Sequence, residues 1–110
     1  MGSKYAKFNE RESTEFGDLK YTKYFVTDLI TSGIAVLPAG GKGDVDKGHA
    51  EAEEVFTVCS GKITVILPDS DEEYDLGPGD AILVPKGAPH IVENRGEKEA
   101  MFVFSGAPKM

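Results

Sequence analysis

The sequence GDAILVPKGAPHIVEN, residues 79–94, decides the fold of this chain. Pro78 and Gly79 suit the two central positions of a type II turn, which would lead into a short apolar strand at residues 81–84. Proline and glycine then interrupt that strand, and His90 stands at the start of the next one. A histidine held at the mouth of a small β structure is a candidate metal ligand or acid–base group.

Strand-like runs recur along the rest of the chain, rich in Val, Ile, Phe and Thr and bounded by Gly, Pro or Asp. The predicted strands are residues 19–27, 32–37, 55–59, 62–67, 73–76, 81–84, 90–93 and 100–104. Many short strands joined by glycine and proline turns predict an all-β sandwich or closed barrel. With 110 residues the chain fits a single domain, 1–110, in which residues 1–18 form an edge strand or an arm that packs on a partner subunit.

Composition excludes several classes of function. The net charge is −7 and no basic cluster is present, which disfavours nucleic acid and anionic membrane surfaces as partners. No apolar run approaches the ~20 residues of a membrane span, and the N-terminus lacks the apolar core of a secretion signal. We therefore expect a cytoplasmic protein, and a domain this small, burying roughly 65% of its unfolded surface, is expected to form a homodimer. Cys59, the single cysteine, excludes an internal disulfide and is expected to be packed.

The spacing Gly79-x5-Pro85-x-Gly87-x2-His90-x3-Asn94 resembles the second motif of the cupin superfamily and matches it at every position. The resemblance extends over roughly residues 36–104. It implies a double-stranded β-helix, also called a jelly roll or cupin barrel, with a site inside it and a metal-ligating role for His90. Gly79, Pro85, Gly87 and Asn94 are expected to be structural, with Asn94 capping local backbone groups through its side chain.

The first cupin motif is matched with one departure. In the register Gly41-x5-Lys47-x-His49-x4-Glu54-x6-Gly61 every spacing is kept, but a lysine stands where the family has its first histidine. This register implies that His49 and Glu54 are ligands. A competing register begins at Gly43, makes His49 the first histidine and places Glu51 in the position of the second.

The residue chemistry favours a metal. Two imidazoles and a carboxylate suit Fe(II), Mn(II), Ni(II), Co(II) or Zn(II), and they are the ligand set of open-site Fe(II) oxygenases. Strand alternation would put Lys47 and His49 on one face, while His90 arrives from another strand, so that only a closed fold unites the two histidines. An ammonium has no lone pair to donate, which makes Lys47 a candidate clamp for an anionic substrate group.

Three functions follow. The first is an enzyme that uses a divalent metal at His49, Glu54 and His90 to act on a small organic substrate, with oxygenation favoured over isomerisation and decarboxylation. The second is a metal-free, non-catalytic module that binds a small sugar or acid, which the Lys47 substitution motivates. The third is a storage or structural role for the scaffold, against which the two histidines argue.

Overall fold

The computed structural model describes residues 2–110, and in this range it contains nine strands, two short 3-10 turns and no α-helix. The 3-10 turns are Phe8–Glu10 and Pro68–Ser70. The strands are β1 (Thr14–Phe16), β2 (Leu19–Val26), β3 (Thr31–Leu37), β4 (Glu53–Ser60), β5 (Ile63–Leu67), β6 (Glu72–Leu76), β7 (Ala81–Val84), β8 (Ile91–Glu93) and β9 (Ala100–Ala107). The all-β prediction is confirmed, and each of the eight predicted runs corresponds to one strand.

The strands form two antiparallel sheets around one interior. One sheet has six strands in the order β1-β2-β3-β9-β4-β7, and the other has three in the order β6-β5-β8. Two bridges outside the named strands, Lys42 with Glu93 and Asp46 with His90, connect the segment after β3 to the beginning and end of β8. The strand β1, for which no separate strand was predicted, lies at one edge of the larger sheet, and β7 lies at the other.

Alternating burial along the strands builds the core. In β3, β4 and β9 every second side chain points inward, as expected for sheets with one buried face. The buried apolar cluster draws on both sheets and contains Leu19, Ala35, Leu37, Phe56, Val58, Ile63, Val65, Leu67, Val84, Val92, Ala100, Phe102 and Phe104. Each large side chain in it contributes roughly 1.5–3 kcal/mol by leaving water.

The turn before β7 has the predicted form. Gly79 has a φ of +87°, and the amide of Asp80 donates to the carbonyl of Gly77 at 2.9 Å, which closes the type II turn. The Asp80 carboxylate also accepts a hydrogen bond from the Gly77 amide at 2.8 Å.

The alternation of buried and exposed side chains in β4 corrects one expectation. Cys59 is exposed rather than packed, because its neighbour Val58 faces inward.

Asn94 ties the end of β8 to two other segments. Its buried side-chain amide donates to the carbonyls of Leu37 at 3.0 Å and Lys98 at 2.8 Å, while its oxygen accepts from the Gly96 amide at 2.9 Å. The structural role predicted for this residue is confirmed, and one of its partners lies far away in sequence.

Residues 2–110 include no helix that is both long and apolar enough to cross a membrane.

Candidate metal centre

Glu54 reaches the interior because of its place in β4. The inward positions of this strand are 54, 56 and 58, so the carboxylate of Glu54 points into the space in front of Phe56. Glu54 is 6% exposed, and its Oε1 atom has no hydrogen-bond partner among the described residues. A buried carboxylate oxygen without a partner is costly, so this atom indicates a binding role.

His90 is the most firmly held of the donors. Its backbone amide donates to the carbonyl of Asp46, and the Asp46 amide donates back to the carbonyl of His90, both at 2.8 Å. The ring packs against Phe56, with centroids 5.6 Å apart, and the side chain is 3% exposed. Nδ1 lies 3.0 Å from the carbonyl of Ala88. Because a carbonyl can only accept, Nδ1 carries the proton and the lone pair of Nε2 is available.

His49 lies on a loop that is bound to the segment preceding His90. The Gly48 amide donates to Asp46 Oδ1 at 2.9 Å, and the carbonyl of His49 accepts from the Gly87 amide at 2.8 Å. Gly48 has a φ of +88°, and a Cβ there would lie 2.7 Å from the carbonyl oxygen of Ala88. Only glycine suits both constraints, so Gly48 allows the two ligand-bearing segments to meet.

Four side chains converge at this point. The His90 Nε2 atom lies 3.4 Å from Glu54 Oε1 and 3.5 Å from Asp46 Oδ2. The His49 Nε2 atom lies 3.7 Å from the same Glu54 oxygen and 3.9 Å from Asp46 Oδ2. One ligand atom each from Asp46, His49 and Glu54 can be chosen so that all lie within 4.8 Å of one another. Two histidines distant in sequence therefore share one carboxylate oxygen.

The geometry changes the role of Lys47. Lys47 is exposed and is not among the residues that line the cavity, so it is not the inward-facing anion clamp that strand alternation suggested. Residues 47–52 precede β4 as an irregular loop, and the positive φ of Gly48 removes the alternation on which that prediction relied.

Asp46 is the donor that the sequence interpretation missed. The motif spacing pointed one residue further along, to Lys47, whereas the backbone pairing with His90 turns the Asp46 carboxylate toward the cluster. The available signal was an acidic residue three positions before His49, with a glycine between them to break the strand. Glu51 is exposed and does not line the cavity, so the arrangement agrees with the register that pairs His49 with Glu54.

Opposing effects act on the pKa of His90. Burial disfavours the charged imidazolium and by itself lowers the pKa, whereas the Glu54 carboxylate, the Ala88 carbonyl and the Asp46 charge stabilise the imidazolium and raise it. The stabilising contacts together outweigh burial, so the pKa of His90 lies above its ordinary value. The raised pKa indicates a negative potential at this point, and the same potential would attract a metal cation.

The donor set fits a divalent metal. Donors about 2.1 Å from a common ion, at angles between octahedral and tetrahedral, lie about 3.0–3.4 Å from each other. The nitrogen–oxygen separations here, 3.4–3.9 Å, need only a small contraction to reach that range. Nitrogen and carboxylate ligands together suit Fe, Mn, Ni, Co or Zn and do not distinguish among them.

A cavity of about 160 Å³ adjoins the four donors. Most of its wall is apolar, and its other polar groups come from β2 and from the segment after β3. The residues that line it are Phe16, Leu19, Tyr21, Lys23, Ala35, Gly43, Asp44, Asp46, His49, Glu54, Phe56, His90, Val92, Phe102, Phe104 and Met110. The donors and the apolar wall thus share one space, as in a site that holds a small molecule beside a metal.

The comparisons with known proteins agree with this architecture. The family model described as Cupin domain matches residues 33–106, so the chain belongs to the cupin family. The solved structure of KdgF from Halomonas sp. is similar, with a TM-score of 0.82 at 17% identity, and the match covers 99% of this chain and 96% of that chain. At this identity the similarity shows the fold alone, and the predicted double-stranded β-helix is confirmed.

Two plant proteins are similar in sequence. The vicilin Cor a 11.0101 of Corylus avellana is 31% identical over 104 residues, which cover 87% of this chain and 23% of that protein. The sucrose-binding protein of Glycine max is 30% identical over 104 residues, which cover 87% of this chain and 20% of that protein. The chain thus spans less than a quarter of the length of either relative.

Proposed function

We propose that this cupin binds one divalent metal ion at His49, Glu54 and His90, with Asp46 as a further carboxylate donor, and acts on a small organic substrate in the adjoining cavity. The observation that carries the proposal is the buried Oε1 atom of Glu54. It has no hydrogen-bond partner within residues 2–110, yet both histidine Nε2 atoms lie within 3.7 Å of it. A cation at this point would satisfy all of these groups together.

The bound metal would supply Lewis-acid polarisation of a substrate oxygen or the activation of dioxygen. We favour oxygenation over isomerisation and decarboxylation, because two histidines with a carboxylate are the ligand set of open-site Fe(II) oxygenases. The chain's own residues have three tasks in this proposal. The Ala88 carbonyl keeps the proton on Nδ1 of His90, Gly48 seats His49, and the phenylalanine side of the cavity excludes water from the reacting groups.

Metal binding is the direct test. Wild-type protein, stripped with a chelator, would be titrated separately with Mn(II), Fe(II) without oxygen, Co(II), Ni(II) and Zn(II), and its metal content measured after dialysis. We expect about one equivalent of at least one of these metals, since residues 2–110 contain one cluster of possible metal ligands, at Asp46, His49 and Glu54. We expect at least a ~100-fold loss of affinity in His49→Ala and in His90→Ala, because even outer-shell partners of a ligand are worth 10–100-fold.

The exposed acids Glu51 and Glu53 provide the matched controls, and Glu51→Gln and Glu53→Gln are expected to bind metal like the wild type. Equal and negligible metal in the wild type and in both histidine variants would remove the proposal. Equal, normal metal in all of them would show that the ion binds elsewhere on the protein.

A metal-free module that binds a small sugar or acid is the second candidate. It is supported by the lysine that stands where the family has its first histidine, and by the similarity to a protein described as sucrose-binding. A thermal-shift screen separates the two candidates. Stabilisation by small sugars or acids together with indifference to all five metals would favour the module.

We propose a homodimer as the state in solution. Two exposed apolar side chains lie side by side on the outer face of the larger sheet: Leu83 on the edge strand β7 and Val55, which pairs with it, on β4. An edge strand with exposed apolar residues is prone to pair with a second copy. A monomeric mass in light scattering at micromolar concentration would contradict this.

A further inference from the structure

One lysine stands at the cavity on the side away from the metal donors. In the β2–β3 pair, Tyr21 lies opposite Ala35 and Lys23 lies opposite Gly33. Ala35 and Gly33 both occupy buried, inward-facing positions of β3. Because alanine and glycine fill little of the interior, Tyr21 and Lys23 can line the cavity. Lys23 is an exposed residue although it lines the cavity, so it lies at the mouth of the cavity rather than deep inside it.

Lys23 is the only lysine or arginine among the cavity-lining residues of the described chain. Within residues 2–110 no carboxylate lies within 4.0 Å of its ammonium group, whereas Lys42 pairs with Glu93 and Arg95 pairs with Glu73 and Glu93. Among the residues that line the cavity, Lys23 is thus a cation without a carboxylate partner in the described chain. The charge of Lys23 is left to interact with whatever occupies the cavity.

The space between Lys23 and the donors is apolar. One cross-strand row runs from Lys23 through Gly33 and Phe104 to Phe56, which is two residues from Glu54 in β4. A Cβ on Gly33 would lie 2.5 Å from the Phe104 ring, so the ring lies directly on the glycine backbone. Lys23 is thus three strand spacings from β4, about 14 Å along the curved sheet.

The size of the cavity limits what can occupy this space. An apolar cavity of about 150 Å³ is large enough to take up benzene. The cavity here is about 160 Å³, and Lys23 lines it while remaining exposed. A molecule with one ring and polar groups at its two ends fits between the cation and the metal site.

We propose that Lys23 is the specificity-determining residue of the site and selects a one-ring substrate whose carboxylate, or similar anionic group, lies at the end opposite the metal donors. This inference rests on the proposed function for the metal end and adds the substrate class. The oxygen at the other end of the ring faces Asp46, His49, Glu54 and His90. Lys23 takes the place that the sequence had suggested for Lys47.

The test compares two probes that differ only in charge, 4-hydroxybenzoate and its neutral analogue 4-hydroxybenzamide, by calorimetry on metal-stripped and Zn(II)-loaded protein. We expect the wild type to bind the acid about tenfold more tightly than the amide, as a charge-assisted hydrogen bond allows. Lys23→Met is expected to lose this preference by weakening only the acid. The expected preference falls as salt is added, because the cation is partly exposed.

Lys20→Met is the matched control, since Lys20 lies on the same strand, is exposed and does not line the cavity. It should bind both probes as the wild type does. An equal loss for the acid and the amide in Lys23→Met would overturn the inference. So would a wild type without preference for the acid, or no binding of the acid at millimolar concentration.

Metal content measured on the same samples separates the two proposals. If the wild type retains no metal but still prefers the acid through Lys23, the metal proposal fails and the anion-recognition role stands. If metal binds and the preference is absent, the metal proposal stands and the role of Lys23 is removed.

Discussion

The two ends of the cavity are built in different ways. At one end Asp46, His49, Glu54 and His90 bring two carboxylates and two imidazoles to within 3.9 Å of their nearest partners. Toward the other end the wall is aromatic: the Phe56 ring, which also packs against His90, lies 5.0 Å from that of Phe102 between centroids, and Tyr21 is edge-on to Phe104 at 6.2 Å. The first end gathers groups that water solvates well, and the second gathers groups that water does not.

This contrast separates stability from binding. Burying apolar rings is the main favourable contribution to folding, whereas burying a carboxylate without a partner opposes it. We therefore expect the aromatic end to carry the free energy of unfolding. The polar end is expected to reduce that free energy in the metal-free protein and to supply the affinity for a ligand.

The largest expected effect tests the aromatic end. Phe102→Ala removes a ring that is 2% exposed and in contact with Phe56, and we expect the free energy of unfolding to fall by about 3–5 kcal/mol. Denaturant titration measures this loss. The control is Leu29→Ala, since Leu29 is 78% exposed and its truncation should change stability by about 0.5 kcal/mol or less. A similarly small loss of unfolding free energy in both variants would contradict the expectation that the aromatic end of the cavity carries the stability.

A smaller effect of opposite sign is expected at the polar end. Glu54→Gln removes the charge of a buried carboxylate whose Oε1 atom has no hydrogen-bond partner in the described part of the chain. In the presence of a chelator at pH 8, we expect the variant to be more stable than the wild type by about 1–2 kcal/mol and to lose metal affinity.

The control for this variant is Glu53→Gln, on the opposite, exposed face of the same strand, which should alter neither property. A metal-free Glu54→Gln protein that is less stable than the wild type would show that the carboxylate is already satisfied in the absence of an ion.

The smallest expected effect concerns Lys47, which lies next to the polar end of the cavity but outside it. Lys47→Gln changes the residue that the motif spacing placed nearest the site, but its side chain is exposed and outside the cavity. We expect the metal affinity and the midpoint of thermal unfolding to remain within experimental error of the wild type. A loss of metal affinity comparable to that of His49→Ala would mean that the loop before β4 adopts the strand-like arrangement in solution.

Several parts of the site were predictable for local reasons. Turn chemistry at Gly79 and the spacing to His90 depend on neighbours along the chain, and β4 alternation puts Glu54 and Phe56 on one face. The failures have one common cause. Asp46 faces the cluster because it pairs with His90, far along the chain, and Lys23 shares a cavity with the donors because β9 joins the β2–β3 hairpin to β4. No spacing in the sequence reports either of these long-range pairings.

The sequence alone determined the class of fold and the residue types available for chemistry, because strand periodicity, turn residues and motif spacing are local properties of the chain. Only the tertiary structure decided which of those residues meet. The pairing of Asp46 with His90 added a donor that the motif spacing did not indicate, and the larger sheet placed Lys23 on the wall of the cavity that the donors line. Convergence of side chains is set by the path of the backbone between strands, and that path is fixed by packing across the whole domain.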